Sequence, residues 1–390
     1  MKHVCECCII LYFGNNKCMR KLIYDKNITI LIPILILAIF SILNMMNAGN
    51  ILVSYGSYYY KQILWFIIGF CIVFASLKFN VGEIFRFSYF LYGINVILLV
   101  LVLFFGKEIN GTRAWFDLSY FSFQPSELMK LSLLLSLANL ANSLRFRTIK
   151  NELKFIFKVI VLTIIPSILT FLEPDTGAVL IYFIIATFIL FASRIRVRWF
   201  VFSLIMMVII GFSFFYFYQN YQDEFIKIFG TSFFYRMDRI MLFKEGSGMQ
   251  IENALIAIGS AGLLGTGINT VPIYFPEAPT DFVFALSISN FGFLGGLVML
   301  SCYFAIFLFI IKLIKKTSKK EIKIFMIGFL GMFLFQTTQS ILMNIGLIPI
   351  IGITLPFLSY GGSSTLLYFT GMAIILGLSG RKEKYPYWIF

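Results

Sequence analysis

Apolar runs of about 18 residues or more recur along this chain from one end to the other, and that repetition constrains its fold more than any single motif. A segment that crosses hydrocarbon must satisfy its own backbone N–H and C=O groups, so each run has to be a helix. Ten spans can be drawn, at 28–48, 61–79, 85–105, 125–144, 157–172, 177–193, 199–218, 281–314, 323–343 and 363–380. The expected fold class is all-α, a polytopic membrane protein with about ten transmembrane helices. Composition agrees. Only 13% of the 390 residues are charged, about half the share of a soluble domain. The span that starts at Asp281 is unusually long, so it must tilt, kink near Gly292–Gly296, or project from the bilayer. Gly292 and Gly296 also have the spacing of a close helix contact.

Charge sets the orientation. With the N-terminus inside, three quarters of the 32 Lys and Arg fall on the inner side and two thirds of the 18 acids on the outer. Both termini are therefore expected to be cytoplasmic. The chain divides into a leader (1–27), one membrane domain (28–380) and a short tail (381–390). The net charge of +14 is an inside-outside asymmetry and not the mark of a nucleic-acid partner. Cys5, Cys7, Cys8 and Cys18 crowd the leader without partner ligands at metal-binding spacing, and no cleaved signal peptide is read there. The largest outer loop, 219–280, lies between spans seven and eight. Its apolar stretch Ile251–Leu264 is too short to span and reads as a re-entrant or interfacial helix.

The residue inventory narrows the chemistry. The lone histidine is His3, which removes His-based triads and His-ligated metals, and there is no GxxxxGK[ST] loop. Chemistry must rest on carboxylates, Lys, Arg and backbone dipoles. In Pro276–Ala285 a proline-bracketed loop runs into a helix. Thr280 is expected to cap it, leaving Asp281 in the first turn as either a cap or a catalyst. Glu127 and Lys130 share a helix face just inside the membrane, as a functional pair or as an ion pair fastening two helices. Asp175, in the turn Glu173–Gly177, is a candidate site residue and equally a helix cap. Arg236, Arg239 and Lys244 put basic charge on the acid-rich side, which favours an anionic partner such as phosphate. Gly259–Gly267 reads as the bend of a re-entrant helix more than as a phosphate loop.

These motifs together resemble the RodA/FtsW/SpoVE family of shape, elongation, division and sporulation (SEDS) proteins, from about Tyr60 to Arg381. The resemblance rests on Tyr60–Trp65, the block Gly111–Lys130 with its Phe123-Gln124-Pro125-Ser126-Glu127, and Glu173–Gly177. It continues through Gln250 and Ala257–Ser260, Pro276–Ala285 and Ile353–Ser364. It leans towards the RodA branch. It implies a peptidoglycan glycosyltransferase that polymerises lipid II, the undecaprenyl-pyrophosphate disaccharide-peptide, on the outer face of the bacterial cytoplasmic membrane. The usual partner is a class B penicillin-binding protein. The family's catalytic aspartate corresponds to Asp281, and its functional Arg, Glu and Lys to Arg113, Glu127 and Lys130. Its turn aspartate corresponds to Asp175, and Gln250 joins the binding candidates. Glycan extension needs one base for the acceptor hydroxyl, while cations of the chain or a divalent metal ion would stabilise the departing pyrophosphate. No metal ligands are assigned. The family usually has two acids after the aspartate motif, where this chain has Ser289 and Asn290. A lipid II flippase and a non-catalytic scaffold for a penicillin-binding protein are the alternatives.

Overall fold

The computed structural model describes residues 28–51, 55–79, 81–109, 112–117, 122–143, 148–231, 234, 249–268 and 276–379. Its helices are α1 (Leu31–Ile51), α2 (Tyr58–Lys78), α3 (Ser88–Phe105), α4 (Pro125–Ser143), α5 (Ile149–Leu172), α6 (Thr176–Ala192), α7 (Val197–Asn220), α8 (Gln222–Phe229), α9 (Met249–Ser260), α10 (Val283–Lys316), α11 (Lys320–Asn344) and α12 (Gly362–Ser379). All but α8 and α9 match the ten expected spans one for one. Six are long and apolar enough to cross a membrane, and α6 and most of α12 are shorter apolar helices. The chain is an all-α, multi-pass membrane protein.

Helix α4 is the centre of the bundle. It packs against α3, α5, α6, α11 and α12, and it is buried nearly all round. Neighbours thus shield it from lipid, and that lets it carry Ser126, Glu127, Lys130, Ser132 and Ser136 at a depth where polar groups facing lipid would be costly. Helix α5 contains Pro166, which has no N–H for the carbonyl of Leu162. Tyr92 of α3 supplies the missing donor, its hydroxyl meeting that carbonyl at 2.9 Å. A kink-prone residue is thereby turned into a cross-helix tie.

Two features depart from plain helices. The connection between α3 and α4 forms a three-stranded antiparallel sheet of β1 (Lys107–Ile109), β2 (Thr112–Asp117) and β3 (Ser122–Phe123). The strands are too short to give a usable alternation in sequence. The second is a break in α10 at Gly292, whose φ of 66° and ψ of −168° lie outside the helix region. The long span therefore kinks, as one of the expected outcomes has it. Gly292, however, is not a helix-packing glycine. The segment after α9 lies along the break and takes up the freed backbone groups. Thr266 and Gly267 N–H donate to the carbonyls of Ser289 and Asn290, and Phe293 and Leu294 N–H donate to Gly262 and Leu263. The glycine-rich run 259–267 is this clasp. Helix α9 itself buries Ile251, Ala254 and Ala257 and packs on α10.

Just before the break, Asn290 is 1% exposed and bonds Asn44 and Asn47 of α1, while Ser287 accepts from Asn44 at 2.6 Å. Of the two positions where the family usually has acids, Asn290 thus faces a buried polar seam between α1 and α10, while Ser289 is buried with its hydroxyl unpartnered among the described residues.

Candidate active site

In a bundle whose helices run alternately up and down, every second helix starts at the same end. Here the N-termini of α2, α4, α6, α10 and α12 meet around a cavity of about 440 Å³, roofed by Thr112, Trp115 and Ser122 of the sheet. Each start carries a fraction of positive charge from its aligned peptide dipoles, so the cavity favours an anionic ligand before any side chain is counted. Asp281, Asp175, Glu127 and Lys130 all line it. The structure therefore brings together four site candidates that lie far apart in sequence.

Asp281 stands in the turn before α10. Its backbone is held from three sides. Its N–H donates to Glu277, its carbonyl accepts from Asn344 Nδ2 at 2.9 Å, and Tyr360 N–H and Ser359 Oγ bind the neighbouring carbonyls of Pro279 and Thr280. Asn344 Oδ1 also accepts the Ala285 N–H. The cap of α10 is thus this distant asparagine. Thr280, the expected cap, instead turns its hydroxyl to Glu277, 2.7 Å from Oε2. A long-range amide has displaced the local one. Asn344→Ala is expected to cost about 1 kcal/mol of stability and about tenfold in kcat, measured by thermal unfolding and turnover, because it frees the turn that aims Asp281. The Asp281 carboxylate accepts no hydrogen bond among the described residues. Gly352, with φ +72°, backs onto it closely enough that an added Cβ would stand 3.6 Å from Oδ2. Burial first, then the charges of Glu277 and Asp175, push its carboxyl from 3.8 up to about 7.

Asp175 caps α6 through Ala178 N–H at 3.0 Å, and its other oxygen accepts from Gln124 Nε2 and Ser126 Oγ. It joins the starts of α4 and α6, so the capping role is real and also shapes the cavity wall. Beside it Glu173 is fully buried, with neither carboxylate oxygen partnered among the described residues. Burial and the Asp175 charge push its carboxyl from 4.5 to about 9, so it is neutral at pH 7. A group that binds its proton more tightly when folded destabilises the fold as pH rises between those two values. Glu173→Gln should therefore gain in melting temperature over the wild type steadily from about pH 5 to 9.

Lys130 Nζ lies 2.6 Å from Glu127 Oε1, both buried. Arg113 differs from expectation. Its guanidinium pairs with Glu108 at 3.7 Å on the exposed side of β2, and it is not among the lining residues, whereas its neighbours Thr112 and Ala114 are. Gln250 starts α9 and does not line the cavity either. Arg236, Arg239 and Lys244 lie outside the described residues. Lys61, Gln336 and Tyr360 line the cavity and were not singled out from sequence. Lys61 could have been, as a lysine on the acid-rich side. Among the described residues, no three His, Cys, Asp or Glu gather as a metal-binding group.

A polytopic helix bundle whose helix starts enclose a carboxylate-lined cavity is the class of protein that fold and site define. The chain belongs to the FtsW/RodA/SpoVE family, whose model, described as "Cell cycle protein", matches residues 23–384. A relative from Wigglesworthia glossinidia brevipalpis, named "Probable peptidoglycan glycosyltransferase FtsW", is 30% identical over 389 residues, covering 93% of this chain and 95% of the relative. A Haemophilus influenzae protein of the same name is 30% identical over 300 residues, 75% and 73% of the two chains. Among solved structures, one described as "Structural coordination of polymerization and crosslinking by a peptidoglycan synthase complex" superposes with a TM-score of 0.73 at 25% identity, covering 89% of this chain and 96% of that one. Thermus thermophilus rod shape determining protein RodA gives 0.63 at 26% identity, covering 89% and 95%. These curated relatives carry the FtsW name, against the leaning towards RodA.

Proposed function

We propose that this protein is a peptidoglycan glycosyltransferase that polymerises lipid II, with Asp281 as general base. The observation that carries this reading is the Asp281 carboxylate, which accepts no hydrogen bond among the described residues, lining a cavity ringed by five helix starts. The acceptor sugar hydroxyl gives its proton to Asp281 as its oxygen bonds to the anomeric carbon of the donor. The bond from that carbon to the pyrophosphate oxygen breaks, and undecaprenyl pyrophosphate leaves with the electron pair. One displacement inverts the anomeric configuration. Lys61 and the helix starts serve the departing charge, with Arg236, Arg239 and Lys244 of the outer segment as further phosphate ligands. Asp175 and Asn344 position the walls. Arg113 and Gln250 act from outside the cavity lining, on the parts of the substrate that project from it. The protein is placed in the bacterial cytoplasmic membrane with both termini cytoplasmic and the cavity outward, as the Lys and Arg distribution favours. The relative solved as a synthase complex supports a class B penicillin-binding protein as partner.

The test is reconstitution in liposomes with lipid II, alone and with the partner. Glycan strands are expected. Transbilayer movement of labelled lipid II without polymer would replace this reading with a flippase, and partner binding without either activity would leave a scaffold.

A further inference from the structure

Among the described residues, two buried polar atoms on the cavity wall have no partner. Gln336 of α11 is 0% exposed. Tyr368 donates its hydroxyl hydrogen to Gln336 Oε1, and Gln336 Nε2 meets no acceptor. Opposite in kind is Glu127 of α4, 7% exposed, whose Oε1 takes Lys130 Nζ while its Oε2 meets no donor. Both residues line the cavity, and α4 and α11 pack directly against each other. Gln336 lies two helical turns further into the bundle than Asn344, the residue that clamps Asp281. The inner end of the cavity thus presents one free donor and one free acceptor on two different walls. Buried groups of this kind are rarely left dry, so the site is shaped for something that supplies both complements.

A phosphate cannot do so. It offers acceptors only, and Glu127 Oε2 would face it as a second acceptor, with the Lys130 charge already spent on the same carboxylate. A secondary amide fits, because its C=O and N–H point in opposite directions and can meet opposite walls.

We infer that Glu127 and Gln336 form a subsite for the acetamido group of an amino sugar. The sugar C=O accepts from Gln336 Nε2, and its N–H donates to Glu127 Oε2. Lys130 holds Glu127 in place, and Tyr368 turns the Gln336 amide so that its nitrogen faces inward. Lys61 of α2 is then left to the phosphate charge, while the Glu127–Gln336 pair, from the first turn of α4 and the facing wall of α11, reads the sugar. The inference rests on the proposed lipid-linked amino-sugar substrate and names what part of it the inner end reads.

Binding is measured on Asp281→Asn protein in nanodiscs, so that turnover plays no part. The probes are intact lipid II and two 2-deoxy analogues, each lacking the acetamido group of one of its sugars. One analogue is expected to bind about 30-fold more weakly than lipid II, the loss of two buried hydrogen bonds, one of them to a charged group. With Gln336→Leu added, lipid II itself should bind about threefold more weakly and the ratio should shrink to about tenfold, the share of the remaining bond to the charged Glu127. Tyr368→Phe, which releases the amide without removing it, should shrink the ratio as well. A merely structural role for Gln336 would weaken all three probes alike. Equal binding of all three by the Gln336-bearing protein overturns the subsite, as does an undiminished ratio in Gln336→Leu. Binding of lipid II without acetamido discrimination overturns the subsite alone, and absence of binding overturns the proposed function with it.

Discussion

Asp281→Asn is expected to lower lipid II polymerisation about a thousandfold, within the range that a positioned general base contributes. The substitution keeps shape and removes only the ability to accept a proton. Folding should survive it, because the turn is held through backbone groups, with Asn344 on the Asp281 carbonyl and Ser359 and Tyr360 on the two residues before it. A melting temperature that does not fall alongside lost turnover separates chemistry from structure, and because the Asp281 carboxyl is raised from 3.8 to about 7 the neutral asparagine should melt somewhat higher than the wild type as pH rises between those values. The wild-type pH profile checks the same assignment. A base must be ionised to act, and the Asp281 carboxyl titrates near 7. The wild-type kcat/KM should therefore fall about tenfold per pH unit below that point and level off above it. A variant that retains more than a tenth of wild-type polymerisation would sink the assignment, whatever the pH profile.

Gly265→Ala carries the second large effect, on stability. Gly265 has φ +81°, and a Cβ there would stand 2.3 Å from the Asn290 carbonyl oxygen and 2.5 Å from Gly292 N. Both neighbours are backbone, so neither can swing aside. The alanine must either break the hydrogen bonds from Thr266 and Gly267 to α10 or shift the break itself. About 3–5 kcal/mol is expected, at the upper end for a single substitution. Thermal unfolding in detergent would show it as a clear fall in melting temperature. Gly259→Ala is the control. It lies in α9 with open space around its Cβ position, and alanine favours a helix. If Gly265→Ala melts like Gly259→Ala, the clasp does not hold α10 together.

The contrast between these two positions shows what a sequence can disclose. The ten helices were legible because hydrocarbon leaves no alternative to them, and the match to the spans is close. Asp281, Asp175, Glu127 and Lys130 were legible as residue types in the right setting, and they do share one cavity. What holds them was not. Asn344 caps α10 from across the bundle, Ser359 reaches back to Thr280, and Gln336 is recognisable only once its wall faces Glu127. Each of these contacts spans dozens of residues of chain, and no local pattern encodes them. Thr280 misled for the same reason, since its spacing was right and a better donor-acceptor partner lay elsewhere. Arg113 stands outside the cavity lining through strand geometry. On β2 a shift of one position decides which side a guanidinium faces.

The meeting of alternate helix starts at one end has a consequence for how such a protein could change over time. Nothing in the cavity fixes which side of the bilayer it opens to. That side is set by the parity of the spans before it together with the loops' Lys and Arg, which hold their own ends inside. One additional crossing ahead of α1 would turn the same residues, unaltered, to face the opposite compartment. Vectorial output is therefore a property of helix count and loop charge together, so the loops can vary as long as their Lys and Arg stay on the inner side, and an odd insertion would set that charge against the direction of work.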